Sequence, residues 1–342
     1  MNKPLRVLVL MHPALVPPDS LKGHTPEEIN VWKTEYDVVN GLRRLGHEVR
    51  PLGVQWELNP IREAAEEWKP EVVFNLLEEF HGVSDFDQHV VSYLELLQLP
   101  YTGCNPRGLV LARSKAITKK IAAYHRVRVP AFFVVPRGRR PARPRNLRFP
   151  LFVKSASEES SLGIAQASIV DGDDRLAERV RFVHEHVGTD ALVEEYIEGR
   201  ELYVGVIGNE RLRVLPTWEM DFGRLAESGE PIATARVKHN PEYQKKHGID
   251  IRRAEGLDPA IERHVARTTR RAYRMLELDG YARIDYRLTA AGELYLLEAN
   301  PNPEIAEKEE FASAAAAAGL RYRALLARLL SLALARPRRA SG

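Results

Sequence analysis

The chain has 342 residues, 44% hydrophobic and 28% charged, a composition that suits a soluble protein of two or three packed units and excludes a disordered or fibrous one. Fifty Lys and Arg against 47 Asp and Glu leave +3, and the basic excess sits in two local runs, 137–148 and 336–339, without the interleaved aromatics of a nucleic-acid face. No apolar run approaches the ~18 residues needed to span a membrane, residues 1–11 lack a signal peptide's apolar core and cleavage site, and the single Cys104 excludes an internal disulfide, so a cytoplasmic protein with no membrane or nucleic-acid partner is expected.

In chain order, residues 5–10 (LRVLVL) are a near-continuous apolar run, the pattern of a parallel strand buried on both faces. A helical period over 31–45 closes at Gly46. Residues 47–52 alternate as a strand, 61–68 read as a helix ended before Pro70, 72–76 as a strand and 90–97 as a helix. Strands alternating with helices predict βαβ units, hence a small parallel-sheet domain over 1–111. Next come a helix over 115–124, a strand over 131–135 and a Pro/Arg-rich loop over 136–150. Strands are expected at 151–154, 165–169 and 191–197, with a helix at 175–186, and these place a central unit over 112–190. The last unit, 191–335, has strands at 201–207 and 211–216 and a long polar loop at 220–250. It continues with a helix at 259–276, a hairpin at 281–300, an Ala-rich helix at 312–318 and a final helix at 322–334. A basic, disordered tail is expected at 336–342.

The hairpin YARIDYRLTAAGELYLLEAN (281–300) is the most informative stretch. Ala282, Ile284, Tyr286 and Leu288 share one face, and Arg283, Asp285 and Arg287 the other. A two-residue turn at Ala291 and Gly292 pairs Asp285 with Glu298 and Arg283 with Asn300. It puts Tyr295, Leu297 and Ala299 on one face, and Leu296, Glu298 and Asn300 on the other. Directly opposed carboxylates repel, and a divalent cation turns that repulsion into coordination. Hard Mg²⁺ takes a few carboxylates plus substrate phosphates, and Asp285, Glu298 and the Asn300 oxygen are such a set. A face where both charges are merely solvated is the alternative. The otherwise apolar return strand, ended by Pro301, Asn302 and Pro303, disfavours it.

The pattern R-x-D followed by LYLLEANPNP resembles the terminal signature of the D-alanine–D-alanine ligase branch of the ATP-grasp superfamily. Three upstream segments resemble that family in order: LPYTGCNPRGLVLARSKAITKK (99–120), leading into its central domain, FPLFVKSASEESSLGIA (149–165), its phosphate loop, and LVEEYIEGREL (192–202), its adenine hinge. The resemblance spans 70–335. It implies an α/β chain with an ATP-grasp fold behind a Rossmann-like N-terminal domain, using ATP with Mg²⁺ or Mn²⁺. It further implies that Lys115 and Lys154 meet the ATP phosphates, under a loop carrying Glu158, Ser160 and Ser161. Glu194 and Ile197 take the adenine positions, Glu201 the ribose position, and Lys238 reaches the γ-phosphate. Arg283 steadies the oxyanion of a tetrahedral intermediate, and Asp285, Glu298 and Asn300 hold the metal. Where the family often has glycine, this chain has Glu159.

The implied function is an ATP-dependent ligase joining a small carboxylate to a small amine through an acyl phosphate, with a homodimer as the expected assembly. Residues 220–250 are the expected lid over the hydrolysable intermediate. The chain departs from the family in two places. The serine-rich, Glu-containing signature after the first strand is replaced by His12, Pro13 and, further on, Glu27 and Glu28, while His81 keeps a position that approaches the first substrate in relatives. Where such ligases carry a glycine and then a Ser-Leu pair gripping the incoming carboxylate, this chain has EIAEKEE (304–310). An acidic lip at Glu304 and Glu309 repels a carboxylate and attracts a cation, so the amine is expected not to be plain D-alanine. The same acids would suit a helix N-terminus, and both readings stand open. A non-catalytic ATP-binding regulator is the competing class. A phosphotransferase acting on a protein histidine would need a swivelling carrier domain that does not fit here.

Overall fold

The computed structural model describes residues 3–157, 164–228, 232–234, 236–237 and 240–336. Strands β1 (Arg6–Met11), β2 (Glu48–Gly53) and β3 (Val72–Asn75) form a parallel sheet in the order β2-β1-β3. The central β1 is buried from Val7 to Met11, which is why it reads as an unbroken apolar run.

The helical period over 31–45 is two helices, Pro26–Val31 and Lys33–Arg44, separated at Trp32. The first has its own start: the Thr25 hydroxyl accepts from the Glu28 N–H at 3.2 Å, and the Glu28 carboxylate accepts from the Thr25 N–H at 2.9 Å. The helix expected at 61–68 starts at Asn59 as an α-helix, widens into a π turn over Ala64–Trp68 and stops at a left-handed Lys69. Asp87–Leu96 is helical. The helix Pro106–Arg113 was not anticipated, although its signals are plain: the Asn105 side chain accepts from the Gly108 N–H at 2.9 Å, and Pro106 sits in the first turn.

A second, antiparallel sheet holds β4 (Phe132–Val135), β5 (Leu151–Ser155), β6 (Ile169–Val170) and β7 (Ala191–Glu195) in the order β4-β7-β5-β6. The strand expected at 165–169 is mostly a tight turn, Gln166–Ser168, because the Ser168 hydroxyl accepts from the Ala165 N–H at 3.1 Å. The third sheet has β8 (Arg200–Ile207), β9 (Arg213–Val214), β10 (Trp218–Asp221), β11 (Asp250–Arg253), β12 (Tyr281–Leu288) and β13 (Leu294–Pro301). Its order is β11-β10-β8-β12-β13, with β9 on β8. The strand expected at 211–216 is therefore only two residues long.

The polar stretch 220–250 is not a loop throughout. Between β10 and β11 it carries the short helical segment Gly223–Ser228 and the helix Pro241–His247, capped by Asn240. Met220, Phe222, Val237 and Ile249 from this stretch bury themselves around Tyr203.

The final helix, Tyr322–Leu334, lies against Lys33–Arg44 and the underside of the first sheet. The approach is so close that a Cβ at Gly41 would meet the Leu326 side chain, which would have to shift to admit it. Val7, Val9, Val38 and Leu42 share one core with Leu325 and Leu329. The basic run expected as a tail begins with an anchored residue: Arg336 donates to the carbonyls of Tyr101 and Gly103 and pairs with Asp279 at 3.0 Å. Residues 337–342 lie outside the described ones. No helix among the described residues is long and apolar enough to cross a membrane.

Candidate active site

Strands β12 and β13 pair Asp285 with Glu298 and Arg283 with Asn300, the expected register at the four polar residues. The turn differs. Thr289 pairs with Glu293 at 3.0 Å across three residues, Ala290, Ala291 and Gly292, with Gly292 at φ +78°. The register then shifts between Asp285 and Tyr286, leaving Leu297 as an extra, bulged residue. The expected faces of β13 are corrected accordingly. Leu296 opposes Tyr286 in the core, and Tyr295 opposes Arg287. One residue added at the turn and one absorbed at the bulge cancel, so the polar pair still meets.

Asp285 is buried at the centre of this face. Arg283 grips it with two hydrogen bonds, Nε to Oδ1 at 2.7 Å and Nη2 to Oδ2 at 2.9 Å, and Asn300 donates to Oδ2 at 2.9 Å. Arg283 also reaches Glu310 at 3.2 Å and lies 4.9 Å over the Tyr203 ring. Burial opposes the charge on Arg283, yet Asp285 and Glu310 outweigh it and hold the guanidinium charged well beyond its usual range. Glu298 remains a quarter exposed, with the Lys115 ammonium 3.9 Å away.

The second cluster joins two neighbouring strands of the second sheet and a helix. Glu194 on β7 is buried and takes Lys154 of β5 on Oε1 and Lys119 on Oε2, each at 2.8 Å. Burial would raise the Glu194 carboxyl, but the two lysines prevail and lower it. Lys154 is raised despite burial by Glu194, Glu298 and Glu201. Lys119, wholly buried, is pushed down to about 8 by desolvation against the pull of Glu194. The sequence reading missed Lys119. Its signal was available: it sits four residues after Lys115 in the helix Lys115–Tyr124, hence on the same face.

Glu201, expected at the ribose, is buried with both oxygens engaged: Arg287 donates at 2.8 Å and the Tyr203 hydroxyl at 2.8 Å. Ile197 lies half-buried on the irregular link between β7 and β8. Glu158, Ser160, Ser161 and Lys238 lie outside the described residues. His81 sits on an exposed turn after β3, in the left-handed region at φ +56°, with its Nε2 2.7 Å from the Trp56 carbonyl oxygen. Its backbone N–H donates to the Gln55 carbonyl at 2.9 Å, and its ring lies against those of Trp56 and Phe80.

Glu304 and Glu309 line a cleft with Arg283, Tyr203 and Glu310. Glu304 accepts from the Thr34 hydroxyl at 3.2 Å, and Glu309 forms an ion pair with Lys33. Glu309 occupies the N-cap position of the helix Glu310–Ala317, but its side chain caps nothing there. Beside Glu304 is a residue that sequence reasoning passed over, Glu35, which is 6% exposed and pushed up to about 7 by burial and then by Glu78 and Glu304.

Among the described residues, no three His, Cys, Asp or Glu side chains gather into a metal site on their own. Asp285, Glu298 and Asn300 offer two carboxylates and an amide oxygen on one strand pair. That donor set fits a hard cation whose shell is completed by phosphate oxygens, and it is too sparse for a self-sufficient protein cage.

Comparison with known proteins gives the family and the fold. Residues 122–331 match the family model described as D-ala D-ala ligase C-terminus. A D-alanine–D-alanine ligase of Nitratidesulfovibrio vulgaris is 31% identical over 89% of this chain and 95% of its own length. An uncharacterized protein, y4sG, of Sinorhizobium fredii is 32% identical over 77% of this chain and 74% of its own. The crystal structure of the Bacillus anthracis D-alanine–D-alanine ligase complexed with ATP superposes with a TM-score of 0.74 at 22% identity, covering 97% of this chain and 98% of that one. That likeness assigns the ATP-grasp fold.

Proposed function

The chain belongs to the ATP-grasp D-alanine–D-alanine ligase family, and from that premise we propose that it is a carboxylate–amine ligase whose amine substrate is not plain D-alanine. The observation that carries the ligase reading is the single hairpin face on which Asp285 and Glu298 oppose each other beside Asn300 and the buried Arg283.

A carboxylate is a poor electrophile. Transfer of the γ-phosphoryl group of ATP to a carboxylate oxygen, with ADP leaving, makes an acyl phosphate. The amine lone pair then attacks the acyl carbon, the carbon–oxygen bond to phosphate breaks, inorganic phosphate leaves and the nitrogen gives up its proton. Charge builds on phosphoryl oxygens, so fixed cations supply most of the stabilisation. Lys115 and Lys154 fill that role. Lys119 neutralises part of Glu194, which leaves Lys154 free to turn towards phosphate. Asp285, Glu298 and Asn300 would hold Mg²⁺, which supplies further neutralisation of the phosphates when bound. Arg283, fixed by Asp285 and Glu310, is the cation placed for the oxyanion of the tetrahedral intermediate. The segment between β10 and β11 is the covering element that keeps water from the acyl phosphate.

The amine part of the reading rests on Glu304 and Glu309, which border the cleft next to Arg283 where relatives would grip a carboxylate. A screen of ADP release over carboxylate–amine pairs, with mass analysis of products, tests the whole. Efficient D-alanine dipeptide synthesis would overturn the amine part, and ATP binding without stimulation by any pair would favour a regulatory protein.

A further inference from the structure

From Arg263 to Leu276 the chain carries five arginines and one histidine and no acid. At 3.6 residues per turn, Arg263, Arg267, Arg270, Arg271 and Arg274 fall within an arc of about 100° on the helix Pro259–Met275. The opposite face buries Val265, Thr269, Ala272 and Tyr273. Arg267, Arg271 and Arg274 are exposed, and Arg270 is half-buried. Like charges three and four residues apart destabilise a helix. The helix dipole favours cations in the last turn only, so it accounts for Arg274 and leaves Arg263 and Arg267 unexplained.

The four arginines from Arg267 to Arg274 line a pocket of about 450 Å³ with His125 and Met275. Among the described residues none of the four guanidiniums has a carboxylate partner, and their one side-chain hydrogen bond runs from Arg270 Nη1 to the Ala266 carbonyl at 3.3 Å. Glu277, the next acid along the chain, is taken by Arg107 at 2.7 Å. The far wall is His125, at the end of the helix Lys115–Tyr124. The two helices meet over one core that includes Ala122, Val265, Ala272 and Leu276. The helix Lys115–Tyr124 has 10 residues, about 15 Å of axis, so the pocket lies at its far end from Lys115.

We propose that this pocket is a second anion site, which takes a pair of linked phosphate groups, as in free pyrophosphate or the diphosphate of a nucleotide. A guanidinium is planar, always charged and grips phosphate oxygens through two parallel N–H donors. A phosphate group brings about −1.5 to −2 of charge, so one leaves four guanidiniums half balanced and two match them. Arginines one turn apart, such as Arg267 with Arg271 and Arg270 with Arg274, stand roughly 5–6 Å apart at Cβ, a spacing that adjacent phosphates bridge. The volume lies within the range of small-ligand sites. The site stands on these residues alone and does not depend on the ligase reading.

The test titrates the full-length protein calorimetrically with sodium pyrophosphate, ADP and inorganic phosphate. Pyrophosphate is expected to bind about tenfold more tightly than phosphate, and to be weakened at least about tenfold in the double variant Arg271→Gln/Arg274→Gln. Both residues are exposed, so the melting temperature of the double variant should be kept. Arg263→Gln removes a charge from the same helix outside the pocket and should change pyrophosphate binding by less than about twofold. The component that the double variant loses from the ADP titration separates the two sources. If it is tighter than the lost pyrophosphate component, the ligand is a nucleotide, and if it is equal or weaker, the ligand is pyrophosphate itself. No pyrophosphate binding, binding indifferent to the double variant, or a loss in Arg263→Gln as large as in the double variant overturns the proposal. Tighter binding of a short single-stranded RNA through the same arginines also overturns it, because the face would then serve a polymer.

Discussion

The molecule buries two carboxylates, Glu194 and Glu35, and treats them in opposite ways. Around Glu194, one carboxylate meets two lysines at 2.8 Å. Glu35 is buried within the apolar stripe of the helix Lys33–Arg44, and burial raises its carboxyl to about 7. Burial is therefore common to both, and the paired lysines distinguish them. A positive excess suits phosphate.

Four experiments would break or sharpen that contrast. The largest effect is expected from Asp285→Asn, which removes the charge between Arg283 and the proposed metal. ATP turnover should fall by about a thousandfold, roughly 4 kcal/mol of transition-state stabilisation, with the circular dichroism spectrum kept. Turnover at the wild-type rate would remove Asp285 from the mechanism. Glu194→Ala comes next, because it strands two buried lysines. A loss of about 3–5 kcal/mol in urea unfolding is expected, and a loss under about 1 kcal/mol would mean that the triad is not tightly paired.

Glu35→Gln should act in the other direction and with pH. In the folded protein burial pushes the Glu35 carboxyl up to about 7 from its ordinary 4.5, so between those values the folded state binds the extra proton. Stability from this group is full below about 4.5 and is lost as pH rises through about 7. The variant should therefore be more stable than wild type at pH 8, by about 3 kcal/mol at most, and the difference should shrink towards pH 5. Parallel pH profiles of the two melting temperatures would contradict the burial of an uncompensated acid. The smallest effect belongs to Lys33→Ala. It frees Glu309 at a partly exposed pair, so a change within about 1 kcal/mol in stability is expected.

The hairpin shows how far a sequence can carry such an assignment. Alternation along β12 was readable because side chains of a strand point up and down in turn, and the four polar residues stood out against apolar neighbours. The bulge at Leu297 was not readable, since no residue type marks it, and Gly292 serves a two-residue and a three-residue turn equally well. Lys119 could have been found from its helical spacing to Lys115. Its partner Glu194, 75 positions later in the chain, is brought to it only by the packing of that helix on the second sheet. Glu35 was hidden by a habit of reading amphipathic helices, in which an acid within the apolar stripe passes for a surface residue. The polar stretch before β11 read as loop because Met220, Phe222, Val237 and Ile249 are spaced too irregularly to show a period.

The contact between Gly41 and Leu326 has a consequence for how this protein can be dissected. Every residue assigned above to ATP lies between 115 and 300, but a fragment ending before 322 would also uncover Ile207 of β8 and Tyr281 of β12, which share a core with the removed helix. It would lose the helix against which Lys33–Arg44 is seated, and with it the depth at which Glu35 is held. The helix Tyr322–Leu334 is thus the backstop for a residue far earlier in the chain.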